Sequence, residues 1–128
     1  MKFLGIDYGA KRVGLAVSDE GGRLAFPAAV FKNNGELPAK LAQIIEREKI
    51  GEIVVGESSD FAGLPNLLQK EIDFFIERLE RKFKIPVRRE KEFLTSVEAR
   101  RYDSRREVDH SAAALILQRY LDKRNIKQ

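Results

Sequence analysis

The stretch "LGIDYGAKRVGLAVSD", residues 4–19, sets two apolar runs on either side of a short polar turn, and its reading decides the fold. Residues 3–7 (FLGID) read as one strand. Residues 13–18 (VGLAVS) read as a second, with Val13, Leu15 and Val17 on one face and small residues on the other, the period-two signature of a sheet. The intervening YGAKR is short enough to close a hairpin. The Gly-Gly of DEGGR (19–23) signals another turn, after which LAFPAAVFK (24–32) makes a third strand. Pro27 lacks the N–H that a central strand needs, so this strand belongs at a sheet edge.

Beyond residue 32 the period changes. Leu37, Leu41, Ile44 and Ile45 share one face of a helix over 36–49, and EIVVG (52–56) has the continuous apolar character of a buried strand. The loop ESSDFAGLPN leads into a second helix carrying Leu68, Ile72, Phe75, Ile76 and Leu79, with Pro65 near its start, where proline is tolerated. Residues 85–93 read as a fifth strand, 95–101 as a short helix and 111–124 as a long final one. The order βββαβαβαα predicts an α/β fold. Three antiparallel strands are followed by two that need helical crossovers and so run parallel, giving a mixed five-stranded sheet with helices on both faces. At 128 residues and 43% hydrophobic content, a single domain over 1–128 is expected.

The chain has no cysteine, which excludes a disulfide framework, a thiolate metal site and a cysteine nucleophile. A metal must then sit on oxygen ligands or on the single histidine, His110, which favours a hard cation. No signal-peptide pattern opens the chain and no apolar window is long enough to span a bilayer, so a soluble cytoplasmic protein without a membrane partner is expected. Residues 84–128 carry 12 Lys/Arg against 7 Asp/Glu, whereas residues 1–83 carry 12 against 13. The positive field therefore lies in the last third, as suits a polyanionic partner or a solvated basic surface.

In a sheet of this order the first strand is central and the fourth pairs beside it. Asp7 and Glu57 then fall at the carboxyl ends of neighbouring strands, roughly 4.8 Å apart, close enough to share a divalent ion. Glu92 ends the fifth strand, and Asp109 precedes the last helix, whose N-terminus favours an anion. Carboxylates converging from strand ends and a helix suit a phosphodiesterase using one or two metal ions. Each residue also has a plainer reading. Asp7 before Tyr8-Gly9 is a turn signature, Asp109 before Ser111 an N-cap, and Glu57 and Glu92 ordinary loop surface. Lys11 and Arg12 in the hairpin, and Arg100, Arg101, Arg105 and Arg106 before the last helix, are candidate contacts to a nucleic-acid backbone or simply solvated cations.

Taken together, four ordered blocks resemble the YqgF/RuvX family. They are "GIDYGAKRVGLAVSD" (5–19), "EIVVG" with Gly63 seven residues beyond Gly56, "LTSVEAR" (94–100) and "VDHSAAALILQRYLD" (108–122). The resemblance implies a ribonuclease H-like fold and a metal-dependent endonuclease using Mg²⁺ or Mn²⁺. Its implied substrate is structured RNA, the 5′ end of pre-16S rRNA, in contact with ribosomal precursor particles. A Holliday junction resolvase acting on branched DNA, which would need a homodimer rather than a monomer, is the alternative substrate reading. A non-catalytic RNA-binding assembly factor is another. A sugar-kinase-type phosphotransferase has a similar opening hairpin but needs a second domain. By the resemblance Asp7 and Asp109 match metal-binding aspartates and Glu92 matches the glutamate of an Asp-Glu-Arg motif. Lys91 and Phe93 stand where that motif has its Asp and Arg, and Glu57-Ser58 where a Leu-Pro pair is common. The middle carboxylate is thus Glu57 or Glu92.

Overall fold

A computed structural model of the protein describes residues 1–58, 66–92 and 108–126. Its strands are β1 (Lys2–Tyr8), β2 (Arg12–Ser18), β3 (Ala25–Lys32), β4 (Ile50–Ser58) and β5 (Val87–Glu92). Its helices are α1 (Leu37–Glu48), α2 (Asn66–Phe83) and α3 (Val108–Ile126). The expected helix at 95–101, and Pro65, lie outside the described residues.

The sheet order is β3-β2-β1-β4-β5. β1 and β3 flank β2 antiparallel, while β1–β4 and β4–β5 are parallel, as the alternation of strand and helix predicts. Pro27 does sit on the edge strand, beside a register shift opposite Leu15 and Ala16. Most element ends shift by one to three residues from expectation, and two of these shifts bear on the site. β4 continues to Ser58 because Glu57 and Ser58 pair with Lys91 and Glu92, a lateral partnership that local apolarity does not reveal. α3 starts at Val108 rather than 111, since its polar first turn adds nothing to the apolar period. Asp109 is therefore the second residue of the helix and not its cap.

Alternation along the strands creates two cores. Leu4, Ile6, Ile53 and Val55 face α1 and α2, where Leu37, Leu41, Ile44, Ile72, Ile76 and Leu79 complete the larger core. Phe3, Ala16 and Val54 face α3, meeting Ala113, Ile116, Leu117 and Leu121. The second core is thin because the helix lies almost on the backbone of the sheet. A Cβ at Gly5 would stand 2.7 Å from Leu117 Cβ and 3.1 Å from the Ala113 carbonyl oxygen. One at Gly56 would stand 2.4 Å from Ile116 Cδ1. Glycine at these positions is what admits the helix.

Candidate metal-binding edge

Asp7 is the penultimate residue of β1, half-buried, and its strand neighbours are Gly14 of β2 and Gly56 of β4. Phe3, Gly5 and Asp7 alternate onto the α3 face, whereas Leu4, Ile6 and Tyr8 face α1 and α2. Asp7 is thus the first acid reached along β1 on the side that α3 covers. Both lateral neighbours are glycines and carry no side chain of their own.

α3 runs antiparallel to β1. Phe3 packs on Tyr120 and lies under Arg124, and Gly5 lies under Leu117 and Ala113. Two strand residues advance roughly 6.6 Å and four helical residues roughly 6 Å, so the next step up the strand, Asp7, is level with the first turn of α3. Asp109 lies in that turn. The helix N-terminus therefore faces the Asp7 end of the strand, where the dipole favours negative charge.

The parallel register carries the count to β5. Asp7 pairs with Gly56, Gly56 with Glu90, and Ser58 with Glu92. Glu90 is bound to Lys123 of α3 at 2.6 Å, so positions 90 and 92 belong to the α3 face. Glu92 is two strands from Asp7, roughly 10 Å, and one two-residue step farther along. The side chains of Glu92 and Asp109 fall outside the description.

Glu57 is not brought to Asp7. It follows Val55 in alternation and lies on the α1/α2 face, where Arg89 Nη1 donates to its Oε1 at 2.9 Å and also to Asp73 Oδ1 of α2. Hydrogen bonding from Arg89, with a further bond from Gln69, holds the Asp73 carboxyl below its usual range, while Asp73 and then Glu57 push Arg89 up. The expectation that neighbouring strand ends bring Asp7 and Glu57 together overlooked facing. A one-residue offset turns a strand side chain to the opposite side.

Lys11 and Arg12 are exposed at the β1–β2 turn, within a few residues of Asp7. That turn is anchored from β3–α1 by Asn33, whose Nδ2 donates to the Gly9 carbonyl oxygen at 2.8 Å and whose N–H donates to the Lys11 carbonyl oxygen at 2.9 Å. Gly9 is required by close approach, since a Cβ there would lie 2.5 Å from the Arg12 carbonyl oxygen. The sequence reading missed Asn33, whose only signal is the Asn33-Asn34-Gly35 loop composition. It also missed Arg89, legible in hindsight as the cation alternating with Val87 and Lys91 on β5. Arg100, Arg101, Arg105 and Arg106 lie outside the described residues.

Among the described residues no three acidic or histidine side chains converge on one point. The donors that reach the α3 edge by register are carboxylates, the ligand chemistry of a hard divalent ion, and the chain contains no cysteine thiolate to compete. Asp7, on the α3 side, suits such an ion; Glu57, paired with Arg89 on the opposite face, does not fit. No described helix is long and apolar enough to cross a membrane.

A family model described as "RuvX: Holliday junction resolvase" matches residues 1–123. The chain is 38% identical to a protein of Nitratidesulfovibrio vulgaris named "Putative pre-16S rRNA nuclease", over 95% of this chain and 94% of that one. It is 34% identical to a protein of the same name from Thermoanaerobacter pseudethanolicus, over 99% and 100%. Among solved structures, T. thermophilus RuvC in complex with Holliday junction substrate superposes with a TM-score of 0.65 at 18% identity, covering 97% of this chain and 95% of that one. The fowlpox virus Holliday junction resolvase does so at 0.55 and 14%, covering 96% and 99%. The architecture, mixed sheet and flanking helices alike, is ribonuclease H-like.

Proposed function

Because this chain belongs to the RuvX family, we propose that it is a metal-dependent endonuclease acting on structured RNA, with the 5′ end of pre-16S rRNA as its substrate in the cytoplasm. The observation that carries the reading is the placement of Asp7. It stands at the central strand's carboxyl end, between two glycines, level with the first turn of α3.

Asp7, Asp109 and Glu92 would hold Mg²⁺ or Mn²⁺. When bound, such an ion makes water a stronger nucleophile and stabilises charge on the leaving oxygen. Asp7 is held by the β1 ladder and Asp109 by α3, so their separation is set by the packing of that helix on Gly5 and Gly56. Lys11 and Arg12, on a turn fixed by Asn33, would position the scissile phosphate by charge and hydrogen bonding. In the hydrolysis a water oxygen bonds to phosphorus, the ester P–O bond breaks, and the leaving oxygen receives a proton. Glu57 belongs to the ion triad with Arg89 and Asp73 and is no ligand.

The test is cleavage of a precursor rRNA 5′-end fragment and a four-way DNA junction side by side, with Mg²⁺, Mn²⁺ or EDTA. Metal-dependent cutting of the RNA that disappears in Asp7→Asn, with the fold retained, is expected. Full activity in Asp7→Asn overturns the mechanism. Cutting of the junction alone transfers the same chemistry to branched DNA, a second reading supported by the RuvC likeness and requiring a dimer. RNA binding without any cutting favours an assembly factor.

A further inference from the structure

A groove of about 920 Å³ lies between α1 and α2, on the sheet face opposite Asp7. Tyr8, the residue after Asp7, is among its lining, and its α2 wall runs from Lys70 to Phe83, a helical rise of roughly 20 Å. The core of α2 uses Ile72, Ile76 and Leu79. Phe74 has no part in it. It is 62% exposed, and the Arg78 guanidinium lies 5.9 Å from its ring centroid. Among the described residues four cations line the groove, Lys70, Arg78, Arg81 and Lys82, against one carboxylate, Glu71, and Arg81 is paired with Glu77.

We propose that this groove binds a single strand of the RNA substrate, with a base stacked on Phe74 and phosphates against Lys70, Arg78 and Lys82. The inference rests on the nucleic-acid reading above. A planar aromatic beside a guanidinium, set in a cationic channel, is the combination that holds single strands without sequence preference. An apolar partner helix would strip water from three cations without pairing them, and an acidic peptide would leave the ring unused. Tyr8, which lines the groove, follows Asp7 in β1 on the opposite face, so a strand at the proposed metal edge would reach the groove by passing over the end of the sheet.

The experiment is fluorescence anisotropy of the full chain in EDTA, with labelled oligouridine and a blunt RNA duplex of equal length as probes. Phe74→Ala, and separately Lys70→Ala/Arg78→Ala/Lys82→Ala, should weaken oligouridine binding by about tenfold or more, with a much smaller change for the duplex. Phe74→Trp should restore the single-strand affinity, which a merely structural role would not produce. Wild-type affinity for oligouridine in both variants overturns the proposal, as does an equal loss for the two probes. Parallel cleavage assays separate the two readings. Metal-dependent cleavage with wild-type oligouridine affinity in both variants refutes the groove alone, whereas selective loss of oligouridine binding without cleavage supports the groove and refutes the nuclease.

Discussion

Gly5 and Gly56 show how a single missing Cβ sets how closely α3 seats on the sheet. Alanine at Gly5 meets Leu117 Cβ and the backbone of Ala113, neither of which can swing away, whereas alanine at Gly56 meets the end of the Ile116 side chain. Gly5→Ala should therefore destabilise by about 1–3 kcal/mol and Gly56→Ala by less, read from denaturant midpoints. Equal effects would mean that α3 shifts as a body. Carboxylate facing makes a second residue-scale prediction. Glu92→Gln should lose metal-dependent cleavage as Asp7→Asn does, while Glu57→Gln should retain most of it, because Glu57 lies with Arg89 on the other face. The reverse order would return the ligand role to β4. Tyr120 supplies a third. Its hydroxyl donates to Glu52 Oε2 at 2.6 Å, and burial followed by that bond pushes the phenol from 10.0 up to about 12. Since the folded value is the higher one, this contribution to stability is fully present below pH 10 and is lost as pH rises toward about 12. Phenolate absorbance should show one late-titrating tyrosine, absent in Tyr120→Phe; its persistence there would refute the assignment.

At the scale of elements, α3 is the part on which the proposed site depends. It forms one wall of the thin core, and its first turn carries Asp109, so loss of packing at its middle should loosen both. Leu117→Ala, at a fully buried position over Gly5, should cost about 2–5 kcal/mol and weaken Mn²⁺ binding by calorimetry. Destabilisation with unchanged metal affinity would show that the helix terminus is held by something other than its own packing. The β1–β2 turn depends on Asn33 in a similar way, through the two bonds to Gly9 and Lys11. On the other face Arg89 ties β4 and β5 to α2. Because the Asp73 carboxyl is held low, this tie contributes above the ordinary carboxylate pKa of 3.8 and is lost as pH falls below it.

Across the whole molecule, one sheet separates two kinds of surface: a carboxylate edge under α3 and an aromatic, cationic groove between α1 and α2. Much of this was legible in the sequence. Leu15 and Val17 alternating in β2, Leu37 to Ile45 at helical spacing, and Pro27 as an edge marker predict the strand and helix order, because period two and period 3.6 are local properties of the chain. The family likewise followed from four ordered blocks. The absence of cysteine restricted any metal to oxygen ligands or His110, with Asp7, Glu57, Glu92 and Asp109 as the candidate carboxylates. Only the tertiary structure separated Glu57 from the face of Asp7. Glu57 is one residue past the register partner of Asp7, and in a strand that single step reverses the face, so proximity in strand order and proximity in space diverge. The close seat of α3 over Gly5, the Asn33 clasp and the exposure of Phe74 are likewise products of packing between segments distant in sequence, on which local pattern carries no information.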